Sequence, residues 1–501
     1  MPFFVRGGAI VPGKETIWSR FEASARRFPE NLAVADERSE LTYRQLHGLA
    51  LACAEWLRQS GAAGNIGLLL PNGVDFFVAF LGVEVVPATC VPLNPLLTPA
   101  ELGRLISHAQ VETVLTVKPL ADRLPATAAR VVSLEDVMPT LLARAAQVSL
   151  PALLPGPDDI AAIIYTSGTS AEPKGVMLSH RNLTANVAGC EQVLSLNDRY
   201  VVLGVLPTSH CFALTVTVLL PLFVGAVAVA VARFSPGAVL QLAERRRASV
   251  LPAVPGIFAT LARARERSAH DLSALELCIS GAEPLPRAVY DDFQQRFARR
   301  IMQGYGLTEC SPVVCVNPPE DPQPETVGPP LPGLQVEVRG PEGPLPAGEA
   351  GEVVVRGESV MVGYYRDPQA TREAIDEEGW LHTGDLGRFD ERGHLVLCGR
   401  KKELIIVGGE NVFPGEVEAV LCSHPAVSVA AVVGVKDPLH GEVPKAYVVL
   451  SPGMQVTAAE LRQFCRAQLA PFKVPREVLI RESLPLTPTG KVLKRRLVAN
   501  G

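Results

Sequence analysis

A chain of 501 residues with 48% hydrophobic and 20% charged residues exceeds the length one core usually fills and is too apolar for disorder, so several domains, about three on length alone, are predicted. The net charge of −5 divides unevenly: residues 401–501 hold 13 Lys and Arg against 9 Asp and Glu, which leaves −9 for the first 400. That balance, without a recognisable nucleic-acid module, argues against nucleic acid and toward small phosphates, and ten cysteines with no C-x-x-C pair argue against a zinc knuckle or disulfide framework and fit a reducing cytoplasm.

The N-terminus, MPFFVRGGAIVPGKE, has no basic start followed by a long apolar core, so no signal peptide is expected. Short Val, Ile and Leu runs such as NIGLLLP, ETVLTV, DIAAIIYTSG and LELCISGA then alternate with helix-like stretches such as LTYRQLHGLALACAEWLRQSG. This alternation predicts crossover units and mostly parallel sheets. After the run Ile160 to Ile164 comes YTSGTSAEPKGV, Tyr165 to Val176. Such a loop offers backbone N–H groups and hydroxyls with little bulk, as oxyanions require. It is not a Walker loop, because Lys174 precedes Gly175 and Val176 instead of following a glycine and preceding Ser or Thr.

Between Tyr200 and Ala232 there is no Asp, Glu, Lys or Arg, enough to register in a membrane-span window. The run is broken by Pro207, Pro221, Gly204 and Gly225 and is rich in Val and Thr, which predicts an apolar helix followed by a buried strand instead of a membrane span. From Pro318 to Pro346 the texture turns Pro- and Gly-rich, and the short strands LQVEVRG, GEVVVRG and GHLVLCGR predict a small β unit. After Arg400 the chain regains mixed α and β character, with no internal repeat.

Seven segments in order carry a family likeness: the Tyr165–Val176 loop, LPTSH at Leu206–His210, SGAEPLP at Ser280–Pro286, QGYGLTE at Gln303–Glu309, LHTGD at Leu381–Asp385, GRKKELIIVGGENVFPGEVE at Gly399–Glu418 and LTPTGK at Leu486–Lys491. Together they resemble the adenylate-forming superfamily over nearly the whole chain, and the second half looks most like fatty acyl-CoA ligases. The resemblance implies a large α/β N-terminal domain, residues 1–399, of parallel-sheet subdomains plus a small β-barrel-like one, and a small mobile α+β C-terminal domain, residues 400–501. It implies ATP, Mg²⁺ and coenzyme A as reaction partners, with a small-molecule carboxylic acid activated as acyl-AMP. No integral membrane segment or nucleic acid is implied, and a homodimer stays open.

By the same resemblance Thr166, Ser167, Gly168, Thr169 and Lys174 serve the ATP phosphates, and Gly281, Ala282 and Glu283 line the base. Within QGYGLTE, Gly304 and Gly306 flank Tyr305, which lies against adenine; Thr308 contacts the α-phosphate and Glu309 binds Mg²⁺. Asp385 and Arg400 take the ribose, a linker salt bridge being the plainer role for Arg400. Lys491 supplies a cation to acyl-AMP formation; the domain then turns about Lys402, and Gly408 and Gly409 line the thiol's path. Thr166, Glu309, His210 and Lys491 form the expected catalytic set, with His210 at the mouth of the acid pocket.

Activating an amino acid would need a carboxylate for its ammonium, because a buried unpaired charge is costly. By the resemblance the Tyr200–Ala232 run carries part of the acid pocket, and it holds neither such a carboxylate nor an Arg for a second acid group, so an alkyl or aryl acid is expected. The phosphate loop departs from the family at Ser170 and Ala171, and Lys402 stands where many relatives carry Asp. Three functions compete: an apolar acyl-CoA ligase, a ligase delivering its adenylate to a carrier protein or amine, and a catalytically silent nucleotide-binding protein. Retention of both Glu309 and Lys491 argues against the last.

Overall fold

The computed structural model describes residues 15–127, 129–148, 153–166, 174–264, 270–408, 410–437, 441–485 and 492–498. Two large sheets form the body. The first has eight strands in the order Val313–Val316, Ile301–Gly306, Leu277–Ser280, Val250–Ala253, Val201–Gly204, Val227–Ala230, Leu32–Ala35 and Glu40–Thr42. Its six inner strands pair in parallel, and the two edge strands run antiparallel. The second has seven, ordered Gly363–Tyr364, Lys174–Ser179, Ile160–Thr166, Ala88–Pro92, Gly64–Leu69, Val111–Thr116 and Arg130–Ser133, with its last five strands parallel. Strands such as Val250–Ala253 are buried at every position, as expected where helices cover both faces of a parallel sheet.

The uncharged run forms the strand Val201–Gly204, which the sequence pattern does not separate, then the expected helix and buried strand. Cys211–Ala213 and Leu220–Val224 are α-helical, Leu214–Leu219 between them is a π-helix, and Val227–Ala230 is an inner strand of the first sheet. Pro221 has no N–H and its ring crowds the preceding turn, while Thr217 Oγ1 donates to Ala213 O at 2.7 Å. The Leu220 N–H reaches back five residues to Thr215 O, so the widened turn has an identifiable cause. Among the described residues no helix is long and apolar enough to cross a membrane. All ten cysteines are free.

The predicted β unit is a five-stranded antiparallel sheet, Gly343–Pro344, Leu334–Gly340, Gly351–Gly357, Leu381–Phe389 and Leu395–Arg400. A three-residue 3₁₀ turn, Lys401–Glu403, leads from it into the C-terminal unit. There Glu410–Val412, Ile405–Val407, Gly441–Leu450, Val427–Asp437 and Glu477–Arg481 build a sheet packed by helices Pro414–Cys422 and Ala458–Arg466. Ile405, Val417, Leu421, Val432, Val448 and Leu461 lie in its own core, separate from the body's, the signature of a unit with an independent hydrophobic centre.

Candidate functional site

The second sheet carries both ends of the loop expected to hold phosphates. Strands Ile160–Thr166 and Lys174–Ser179 pair antiparallel with Thr166 opposite Lys174, so the seven residues between them leave and return at one point. Ser167, Gly168, Thr169, Ser170 and Ala171 lie outside the described residues. Lys174 points its Nζ at the Tyr364 ring, 4.6 Å from the centroid, within cation–π range. Tyr364 belongs to the strand beside Lys174–Ser179, opposite Val176. Its hydroxyl donates to Glu309 Oε1 at 2.8 Å.

Glu309 sits on the 3₁₀ turn Thr308–Cys310 directly after the Ile301–Gly306 strand, and its own carbonyl accepts the Met361 N–H at 2.8 Å. Burial first, then the Glu309 carboxylate, push the Tyr364 phenol well up, so it stays a protonated donor at neutral pH. The turn is tight: a Cβ at Gly306 would stand 1.9 Å from the Pro312 carbonyl oxygen, so no other residue fits that backbone. One tyrosine thus joins the lysine of one loop to the carboxylate of another.

A second cluster lies on the same segment, at the end of the strand that precedes Glu309. Tyr305 is buried, and its hydroxyl donates to Asp385 Oδ2 at 2.8 Å. Arg400 is Asp385's cross-strand partner and brings Nε to 3.1 Å from Oδ1. The Asp385 N–H donates to Thr383 Oγ1 at 3.0 Å. Burial, together with Asp385, holds the Tyr305 phenol protonated. The sequence offers Arg400 both a ribose role and a salt bridge; the observed salt bridge is to the expected ribose aspartate itself.

Gly281, Ala282 and Glu283 follow the end of the inner strand Leu277–Ser280. A Cβ at Gly281 would lie 3.0 Å from the Phe212 ring. Ala282 is exposed and takes φ 68°, a left-handed conformation that costs an L-residue roughly 1–2 kcal/mol. Gln303 supports the loop: its Oε1 accepts the Leu285 N–H at 2.7 Å, while Asn317 Nδ2 donates to the Gln303 carbonyl at 3.0 Å.

His210, expected at the mouth of the acid pocket, is half-buried and precedes the Cys211–Ala213 helix, and its carbonyl accepts the Leu214 N–H at 2.9 Å. Asn72 brackets this segment, donating to Leu206 O at 2.8 Å and accepting the Thr208 N–H at 3.0 Å. Thr215 Oγ1 donates to Ser311 O at 2.8 Å, tying the same helical stretch to the Glu309 turn. Asn72, Gln303 and Tyr364 were missed in the sequence because their partners are 134, 18 and 55 residues away. For Tyr364 the doublet at Tyr364–Tyr365 after Gly363 was the available signal.

In the C-terminal unit Lys402 is exposed on the Lys401–Glu403 turn, and Gly408 takes φ 58° at the tip of the hairpin joining Ile405–Val407 to Glu410–Val412. Gly409 and Lys491 lie outside the described residues. The structure therefore brings together Lys174 and Glu309 through Tyr364, and Tyr305, Asp385 and Arg400 directly; Gly408 belongs to the separate unit.

Parallel sheets that deliver a hairpin lysine, a turn carboxylate and a buried tyrosine–aspartate pair to one segment define a nucleotide-handling α/β enzyme. Residues 21–365 match the family described as AMP-binding enzyme, and residues 416–491 match the AMP-binding enzyme C-terminal domain; the chain belongs to this family of adenylate-forming enzymes. It is 32% identical over 533 aligned positions to a long-chain-fatty-acid–CoA ligase of Bacillus subtilis (strain 168), covering 97% of this chain and 95% of the relative. To 4-coumarate–CoA ligase 1 of Petroselinum crispum it is 33% identical, covering 91% of this chain and 88% of the relative. The crystal structure of ATP-bound MatB from Rhodopseudomonas palustris matches with a TM-score of 0.88 at 31% identity, covering 97% and 98%.

Proposed function

We propose that this protein joins an apolar carboxylic acid to coenzyme A in two steps at one site. In the first, an acid oxygen attacks the α-phosphorus of ATP; the new O–P bond replaces the P–O bond to pyrophosphate, which leaves with the electron pair. In the second, the coenzyme A thiol loses its proton and attacks the acyl carbon, forming C–S while C–O breaks and AMP departs. The first step concentrates negative charge, so it needs fixed cations and donors. Lys174, Thr166 and Thr308 are assigned to the phosphates, with Ser167, Gly168 and Thr169 completing the loop.

Asp385 accepts the ribose hydroxyls beside Arg400, and Tyr305 with Gly281, Ala282 and Glu283 bounds the base. His210 stands at the acid. Glu309 suits Mg²⁺, an ion that takes one or two carboxylates and completes its shell with phosphate and water; among the described residues no group of three metal-ligating side chains competes for it. When bound there, the ion would neutralise phosphate charge. Tyr364 keeps Glu309 aimed. Lys491 is the remaining cation, brought by a C-terminal domain, residues 400–501, that turns at Lys402 and afterwards presents Gly408 and Gly409 to the thiol.

The observation that carries this reading is the Lys174–Tyr364–Glu309 chain beside the Tyr305–Asp385–Arg400 cluster. An acid of alkyl or aryl character, a fatty acid first among them, is favoured by the uncharged Tyr200–Ala232 run against which it would lie. A cytoplasmic location fits the ten free thiols. Pyrophosphate release is to be measured over acetate, hexanoate, dodecanoate, benzoate, 4-coumarate and glycine, with and without coenzyme A. Release with apolar acids and thioester only with coenzyme A is expected; no release from any acid refutes the proposal, and release without thioester refutes its second step.

A further inference from the structure

Pro485 and Leu493, on either side of the segment that contains Lys491, meet at one neck of the C-terminal unit. The Leu493 N–H donates to Pro485 O at 2.7 Å, and Tyr447 OH donates to Leu497 O at 3.0 Å. Leu484 and Leu497 are buried together with Ala431, Val433 and Tyr447. At the foot of this neck Lys494 Nζ lies 2.8 Å from Glu403 Oε2 and 2.9 Å from Glu418 Oε1, with its side chain only 23% exposed. Glu418 stands on the Pro414–Cys422 helix and also accepts the Val432 N–H at 2.6 Å. Burial works against the ammonium, but the two carboxylates outweigh it and keep Lys494 charged.

Glu403 is the last residue of the turn that contains Lys402. Across that turn Lys401 Nζ pairs with Glu352 Oε2 at 2.9 Å, on a strand of the body, and His382 Nδ1 lies 3.4 Å from the same oxygen. Lys402 therefore stands between two clamps, one fastened to the body and one to the C-terminal unit, and is itself exposed. Three residues of chain reach no further than about 11 Å, so wherever Lys494 is fixed, Lys491 is bounded.

We propose that Lys494 is a positioning residue for acyl-AMP formation: by pairing with Glu403 and Glu418 it fastens the neck of the Lys491 segment to the hinge turn, so that movement at Lys402 delivers Lys491 as part of a rigid body. The inference rests on the reading in which Lys491 serves the first step and withdraws for the second. Losing Lys494 leaves two carboxylates facing each other across the neck and frees the segment, and misplacement by an ångström can cost on the order of 100-fold in rate.

Both half-reactions are to be measured separately for Lys494→Met, Lys494→Arg, Glu403→Gln and Lys491→Ala: pyrophosphate release from ATP with hexanoate or benzoate, and thioester formation from supplied hexanoyl-AMP or benzoyl-AMP. K494M is expected to lower the first kcat by about 10-fold or more while the second stays within about threefold. K494R, whose guanidinium can bridge both carboxylates, restores most of the loss. E403Q leaves Glu418 to pair with Lys494, so it keeps the fold and shows a smaller loss in the same direction. Equal loss of both half-reactions in K494M and E403Q, or loss in neither, overturns the proposal. If K491A loses only the first half-reaction while those variants behave as the parent, Lys494 alone is misassigned; if K491A spares the first half-reaction, the underlying reading falls with it.

Discussion

Tyr364→Phe removes one oxygen and little else. The ring that faces Lys174 Nζ at 4.6 Å is kept, as is the strand pairing that carries it, while the 2.8 Å donation to Glu309 Oε1 is lost. A hydrogen bond to a charged group contributes about 1.5–3 kcal/mol. Glu309 is only half-buried, so water replaces part of the loss and the lower end applies, about 1.5 kcal/mol or roughly tenfold in rate. Because Glu309 is assigned to the metal-bound triphosphate, the loss should fall on kcat/KM for ATP in pyrophosphate release and deepen at low magnesium. Thioester formation from supplied acyl-AMP, which involves no triphosphate, should stay within about threefold. A Y364F enzyme that releases pyrophosphate like the parent at every magnesium concentration would refute the idea that this hydroxyl aims the carboxylate.

Lys491→Ala should abolish acyl-AMP formation and spare thioester formation from supplied adenylate; parallel loss of both, read in the same two assays, counts against a domain that alternates. Asn72→Ala removes two hydrogen bonds to the Leu206–Thr208 segment, about 1 kcal/mol each, and should raise KM for the acid severalfold with KM for ATP unchanged, whereas a shift confined to ATP contradicts the placement of His210 at the acid. His180 is buried and its pKa is lowered to about 4, chiefly by burial. An unfolded His takes up its proton near pH 6.5, so this histidine's own contribution to stability is present above that pH and is lost as pH drops toward 4, while the buried Glu84 carboxyl 3.5 Å away, its pKa raised by burial, titrates in the opposite sense. His180→Gln should flatten that part of the urea-unfolding profile, and an unchanged slope would show that this histidine is not the titrating group.

Elements whose signal is local were legible in the chain itself. The runs at Ile160–Thr166 and Leu277–Ser280 are strands because short apolar stretches of Ile, Ala, Leu and Cys are buried on both faces of a parallel sheet, and the helix and following strand of the proline-broken uncharged run are found as expected, preceded by the strand Val201–Gly204. Legible too were the strings that hold Glu309, Asp385 and Arg400, and the structure joins the last two residues in an ion pair. Residues that position these groups were not legible. Tyr364 reaches Glu309 because the Gly363–Tyr364 strand adds to a sheet edge begun nearly two hundred residues earlier, and Asn72 clamps a segment on a different sheet. Neither contact has a periodicity or spacing in the sequence. The Lys494–Glu403 pair spans 91 residues and is hidden in a basic cluster that composition alone assigns to solvent.

The central claim is that the body grips the triphosphate between the Thr166–Lys174 hairpin and Glu309 while Asp385 takes the ribose. A crystal structure of the full chain with ATP and magnesium tests it directly. The account predicts phosphates along the hairpin, magnesium about 2.1 Å from a Glu309 oxygen and both ribose hydroxyls on Asp385. Nucleotide bound elsewhere, or none at saturating ATP, would contradict it.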